Sequence, residues 1–206
     1  MIKEYCDIVP RNDKDSSLDV ALKKFQDFIN SKYSKEAARM IFEEYKLTDY
    51  PTPQRAWNAF GTDNRICPQL TLNRILAPQV AVYAYEFNDA TAPFLFPAMP
   101  GFEPLAYHTA DIQYLFPLWH GGPRGILHRL SAQQQRLSDA LVKAWTNFAR
   151  DGDPNGPGAP NWPVFAPTAS KPGVYLSETL PVSETITDQQ FAADHKCDWW
   201  AKLQTH

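Results

Sequence analysis

The sequence predicts an α/β fold whose sheet is too small for the helices it serves. Amphipathic helical segments open the chain, a run of β-branched and aromatic residues follows at 79–87, and the remainder alternates a long helical stripe, a short strand and a terminal helix. Alternating helix and strand is the pattern of an α/β protein. One or two strands set against so many helices leave apolar helix faces without cover. The expected architecture is therefore an incomplete one: a helical region over 1–78, then sheet strands, a histidine-bearing loop and long terminal helices over 79–206.

The elements follow in order. Ser17 is placed to cap a helix whose apolar residues Leu18, Leu22, Phe25 and Ile29 form one stripe. Ser34 precedes a second helix over 35–45, with Glu36 near the positive end of its dipole. Thr52-Pro53 opens a third, since proline at the first helical position gives up no needed N–H, and this region is expected to run with breaks towards Leu76. Gln79 to Phe87 reads as a strand bounded by Pro78 and Asn88-Asp89, apolar enough to be buried on both faces of a parallel sheet. The proline-rich stretch 90–104 and the glycine-bearing stretch 117–129 read as loops.

A long helix carries Leu137, Leu141, Trp145 and Phe148 on one face and stops at Gly152, and 151–158 is a turn-rich linker. Val174-Tyr175-Leu176 is a candidate edge strand. Thr187 with Gln190 resembles a capping box opening a terminal helix that presents Phe191, His195, Trp199 and Leu203 on one side.

Composition removes some classes of function. The chain has 206 residues, 44% hydrophobic, and a formal net charge of −3 with the charges interspersed, so it lacks the basic surface that displaces counterions from nucleic acid. No apolar run approaches the roughly 20 residues that cross a bilayer. Residues 1–7 carry no apolar core of a secretory signal. Cys6, Cys67 and Cys197 are widely spaced, compatible with three buried thiols or with one long-range disulfide and one cysteine left over.

Five histidines are available for chemistry: His108, His120, His128, His195 and His206. His206 is terminal and His195 reads as mid-helix, where structural roles prevail. His120 and His128 lie eight residues apart without the spacing of a zinc site, and no metal or cofactor is expected. His108 differs, because it ends a proline-rich loop next to a strand, where catalytic groups concentrate.

The segment from His108 through Asp111 to Phe116 resembles the histidine motif of the type-B carboxylesterases, the cholinesterase-like branch of the α/β-hydrolase fold. The likeness extends over Thr62 to Cys67, Val82 to Phe87, Leu137 to Asp139, Trp145 to Asn155, Asn161-Trp162-Pro163 and Cys197 to Trp200, in the same order along nearly the whole chain. It implies a Ser-Glu-His triad in which His108 is the general base and Asp111 a structural brace of its loop. It points to Glu4, 104 residues upstream of His108, as the matching acid, with Asp7 or an acid lost upstream as alternatives.

It also implies a disulfide between Cys67 and Cys197 that leaves Cys6 free, and hence a secreted or periplasmic parent. A carboxylic-ester substrate follows, and Phe94, Phe96, Phe102, Tyr114, Phe116 and Trp119 either line an apolar gorge or pack as core. No G-x-S-x-G occurs among the nine glycines, and Gly121-Gly122 lies on the wrong side of the histidine for an oxyanion hole. The chain is therefore expected to be the C-terminal part of a carboxylic-ester hydrolase, inactive without a missing N-terminal half. The other reading is a non-catalytic cholinesterase-like binding module or a decayed gene product.

Overall fold

A computed structural model describes residues 18–97, 103–119, 122 and 125–203, the side chains of 18–21 excepted. The chain divides into two compact units, one within Met1–Thr71 and Ala192–His206, the other within Leu72–Ala98 and Glu103–Phe191.

The first unit is helical. Helix α1 spans Leu18–Lys32 and α2 spans Lys35–Glu44, the latter capped by Ser34, whose hydroxyl accepts from the Ala37 amide at 3.2 Å. Ser17 lies outside the described residues, and Leu22 of its expected stripe is exposed while Phe25 and Ile29 are buried. Helix α3 runs unbroken over Pro53–Leu76 with Pro68 inside it. The breaks expected in this region do not occur. An interior proline costs about 3 kcal/mol, but the stripe of Trp57, Phe60, Cys67 and Leu70 is buried across it, and each large side chain so buried returns about 1.5–3 kcal/mol.

Phe60 centres an aromatic core, with ring centroids of Phe25, Tyr45 and Trp200 at 5.6–5.7 Å. The Tyr45 hydroxyl accepts from Trp200 Nε1 at 2.8 Å and donates to Asp63 Oδ2 at 2.8 Å. A disulfide joins Cys67 to Cys197, 130 residues apart.

The second unit holds a sheet of order β1-β2-β3, with β1 Ala84–Phe87, β2 Val174–Glu178 and β3 Glu184–Thr187. β1 and β2 are parallel, Tyr85 opposite Leu176 and Phe87 opposite Glu178, and β2 and β3 are antiparallel. Three corrections to the expectation follow. Among the described residues the sheet has three strands rather than one or two. β2 is central rather than an edge, because Glu184 to Thr187, with a single apolar residue, also pairs. β1 is shorter than 79–87, since the amides of Gln79 and Val80 are drawn back to the Leu76 carbonyl at 2.8 and 3.0 Å at the end of α3.

Helix α4 is the short Ile112–Leu115 and α5 the long Ala132–Asp151. A reciprocal capping box of Ser131 and Gln134 opens α5, and Gly152, at φ 74°, closes it in the left-handed conformation that glycine tolerates. Leu137 and Leu141 of its expected apolar face are buried, but Trp145 and Phe148 are about half exposed and Ala144 takes the core position instead. Terminal helices α6 (Asp188–Asp194) and α7 (Cys197–Leu203) replace the single helix expected. Thr187 does cap α6, its hydroxyl accepting from the Gln190 amide at 3.0 Å, but the chain turns at Lys196, φ 53°, so His195 sits between helices rather than inside one.

Side chains alternate across a strand. Tyr85, Phe87, Leu176 and Glu178 therefore share the sheet face that packs against α4 and α5, where Leu176 meets Ala144 and Phe87 meets Tyr114. On the other face Tyr175 stacks on Phe191 at 4.4 Å and meets Phe165 edge-on at 5.3 Å. Gly173 makes that packing possible: a Cβ there would stand 2.4 Å from Phe165 Cε2. Gly173→Ala is expected to lose about 1–3 kcal/mol by overpacking, read by urea unfolding. Phe165→Leu in the same chain should recover part of the loss.

Candidate active site

The site is built where the parallel strands end. Past Phe87 the Asn88 amide donates to the Glu178 carbonyl at 2.9 Å and the Asn88 side chain to Ser177 Oγ at 2.9 Å, extending the β1–β2 pairing by one residue. Asp89 then turns inward and is 2% exposed. Its Oδ1 accepts from the Thr91 amide at 2.9 Å and the Thr91 hydroxyl at 2.6 Å. Its Oδ2 accepts from the Tyr114 hydroxyl and from Gln134 Nε2 at 3.0 Å. Burial pushes the Asp89 carboxyl up, but the bonds from Thr91, Tyr114 and Gln134 outweigh it and hold the group below its ordinary value. One carboxylate thus ties the loop after β1 to α4 and α5.

The proline-rich loop is pinned by a second set of bonds. The Tyr107 hydroxyl donates to the Pro93 carbonyl at 2.9 Å and accepts from the Leu95 amide at 3.3 Å, while Gln113 Nε2 reaches the same Pro93 carbonyl at 2.9 Å. Between these anchors the chain makes a tight turn, the Ala110 amide bonding to the Tyr107 carbonyl at 2.9 Å and the Ile112 amide to the Thr109 carbonyl at 3.2 Å.

His108 sits on that turn, exposed, and its imidazole makes no side-chain hydrogen bond among the described residues. The next residue, Thr109, has φ 77°, a left-handed conformation that costs a β-branched residue about 1–3 kcal/mol. Ala110, fully buried, and the bonded loop on either side hold it there.

The expected residues are distributed as follows. Asp111 braces the turn: its Oδ2 accepts from the Tyr85 hydroxyl at 3.4 Å, and it makes no side-chain cap on α4. Burial first, and then the charges of Asp111 and Glu178, push the Tyr85 hydroxyl well up. Glu4, the proposed acid, lies outside the described residues, as do Cys6, Phe102, His120 and His206.

Of the aromatics, Tyr114 is core, Phe94 meets Phe96 and Tyr107 at 5.6 and 5.2 Å, and Phe116 and Trp119 are exposed. His195 belongs to the first unit, its Nδ1 3.0 Å from Asp63 Oδ1. His128 is exposed. No cluster of three ligating side chains is found among the described residues.

Sequence reading missed Asp89, Gln134 and Glu178. The signals were an acid directly after a strand's end and a Glu closing an apolar strand, both ordinary in isolation.

The Carboxylesterase family pattern matches residues 4–200. The chain belongs to the carboxylesterase family. Membership implies the α/β-hydrolase fold, in keeping with the parallel β1–β2 pair and the helices packed against it. The chain is 26% identical to acetylcholinesterase of Gallus gallus over 172 residues, 82% of this chain and 21% of that protein. It is 27% identical to cholinesterase of Mus musculus over 202 residues, 93% of this chain and 31% of that protein. It is 39% identical to carboxylesterase 5A of Mus musculus over 90 residues, 41% of this chain and 14% of that protein. The chain therefore spans less than a third of the length of these carboxylesterase relatives.

Removing the Asp89 carboxylate would strand several buried donors. Asp89→Ala should cost about 3 kcal/mol or more at neutral pH by urea unfolding. Because the folded group lies below its unfolded value of about 3.9, its contribution is present above that value and lost as pH falls through the folded one. The stability gap between the native chain and Asp89→Asn should shrink as pH is lowered from about 7 to about 2.

Proposed function

We propose that this chain is the histidine-bearing C-terminal part of a serine carboxylic-ester hydrolase, spanning all of 1–206, with His108 as its general base. The observation that carries the reading is the position of His108: an exposed imidazole on a braced turn, beyond the C-terminal end of β1 in a carboxylesterase-family chain. Ligands of open α/β sheets bind outside the carboxyl ends of the strands.

In the proposed reaction a serine hydroxyl attacks the ester carbonyl while His108 takes its proton. His108 then returns the proton to the leaving alcohol, and water completes the cycle by the same route. Glu4 is the candidate acid that would orient the ring, with Asp7 as the alternative.

The serine and the oxyanion donors must come from elsewhere, since no G-x-S-x-G occurs in the 206 residues and one such donor is worth about 10²–10³ in rate. That need, with the modest share of the relatives' length that is matched, supports a partner half bearing the nucleophile. The Cys67–Cys197 disulfide supports a parent matured in an oxidising compartment, secreted or periplasmic. The substrate class is a carboxylic ester.

A non-catalytic binding module is the second reading. It is favoured by the apolar side chains that follow α4, with Phe116 64% and Leu118 82% exposed. Hydrolysis of a short-chain p-nitrophenyl ester separates the two. The chain alone should be inactive, activity should appear when a serine-bearing N-terminal half is added, and His108→Ala should reduce it by at least about 10³-fold. His108-dependent turnover by the chain alone would show that a nucleophile resides within it. A folded chain inactive in every combination would favour the binding module.

A further inference from the structure

Between β1 and α4 the chain has no regular element among the described residues, so side chains must supply what a ladder would. Tyr107, the residue before His108, does so at both of its ends. Its carbonyl closes the His108 turn by accepting from the Ala110 amide at 2.9 Å. Its hydroxyl faces the proline-rich loop, donating to the Pro93 carbonyl at 2.9 Å and accepting from the Leu95 amide at 3.3 Å and from Gln113 Nε2 at 3.4 Å. A phenol has one proton to give and two lone pairs, so all three places are filled. Leu95 is 1% exposed, and its carbonyl accepts from the Ile126 amide at 2.7 Å. The backbone of Leu95 is thus held from two sides, by Tyr107 and by the segment beyond α4. The Phe94 ring meets the Tyr107 ring edge-on at 5.2 Å. Burial pushes the Tyr107 hydroxyl up, more than the bonds from Leu95 and Gln113 bring it down, so it keeps the proton it donates to Pro93.

We propose that Tyr107 is a positioning residue for His108: its hydroxyl locks the Pro93–Leu95 loop to the His108 turn and so fixes where the imidazole stands. One residue binds the turn with its carbonyl and the loop with its hydroxyl. A shift of His108 must therefore break one of those bonds or carry the whole loop with it. Thr109, on the other side of His108, is held at φ 77°, a conformation that a free turn would leave. The bonds of Tyr107 oppose that relaxation. Gln113, 4% exposed, reaches the same Pro93 carbonyl from α4 at 2.9 Å, so Pro93 keeps a donor if the phenol is removed. The Leu95 amide would lose its acceptor. The catalytic consequence rests on the reading of His108 as the base, whereas the lock itself does not.

The test is Tyr107→Phe, which keeps the ring and removes the hydroxyl, and its first part uses the 206-residue chain without any activity. The Leu95 amide should exchange with solvent about tenfold faster than in the native chain, while amides of α5 stay within about twofold. The backbone order parameter of His108 should fall from about 0.85 to below about 0.6, a local loosening that a general loss of stability would not single out. An unchanged order parameter at His108 would overturn the proposal. So would a native chain whose Leu95 amide exchanges as fast as an exposed one, a result that decides the matter even if the variant fails to fold. The second part adds a serine-bearing N-terminal half and follows hydrolysis of a short-chain p-nitrophenyl ester. There kcat should drop by at least about tenfold with KM within about twofold, and an unchanged kcat would also overturn the proposal. Inactivity of the native chain with the added half would overturn the esterase reading, while the order parameter would still decide whether Tyr107 fixes the turn, so the two failures are distinguishable.

Discussion

The arrangement around His108 depends on the carboxylate of Asp89. It stands one residue beyond the paired ends of β1 and β2 and accepts hydrogen bonds from the loop that follows, from α4 through Tyr114 and from α5 through Gln134. Those three stretches are distant in sequence, and no backbone ladder joins them. A buried carboxylate is expensive to desolvate, yet four donors converge on this one. The result is a charge held in place by the fold and a fold held in place by the charge. Ser138 adds to it by donating to the Tyr114 carbonyl at 2.6 Å, so α4 is gripped from its side chain and its backbone together.

The helical unit solves a related problem with the same kind of node. Asp63, 4% exposed, accepts from Tyr45 and sits 3.0 Å from His195, while Tyr45 in turn accepts from Trp200. Burial, then the Asp63 charge, pushes the Tyr45 hydroxyl well up, so it stays a donor at any physiological pH. Lys196 closes the group by pairing with Glu44 at 2.7 Å, holding the left-handed residue at which α6 gives way to α7. The disulfide at Cys197 follows immediately, so the helix break and the cross-link are parts of one device that turns the chain back onto the aromatic core around Phe60.

Much of this was legible. The stripes of Phe25 and Ile29, and of Leu137 and Leu141, the caps at Ser34 and Thr187, and the stop at Gly152 are local signals, and local signals survive folding. What misled was information that only tertiary contacts contain. Pro68 reads as a break unless one knows that Cys67 and Leu70 on either side are buried in a common stripe. Gln79 and Val80 have strand-forming neighbours but spend their amides on the end of α3. Trp145 and Phe148 extend the pattern of α5 but are only half covered, each meeting a tyrosine of the β1 region edge-on, Tyr85 at 6.0 Å and Tyr83 at 5.9 Å. As for the site, the resemblance carried by residues 108–116 led to His108, whereas Asp89, Gln134 and Glu178 became visible only once three segments met.

Two buried acids in one neighbourhood are treated in opposite ways, and the difference is a matter of donors. Asp89 receives an amide N–H, two hydroxyls and a carboxamide, each of which favours the charged form, and together they overcome its burial. Glu178 is enclosed as deeply, but no donor reaches its Oε1, and the nearest charge that bears on it is negative. Environments of this kind drive two carboxyls of a single fold in opposite directions. Asp89 organises the loop, α4 and α5. Glu178 lies on the sheet face it shares with Tyr85 and Phe87, where burial and the charge of Asp111 push its carboxyl well up.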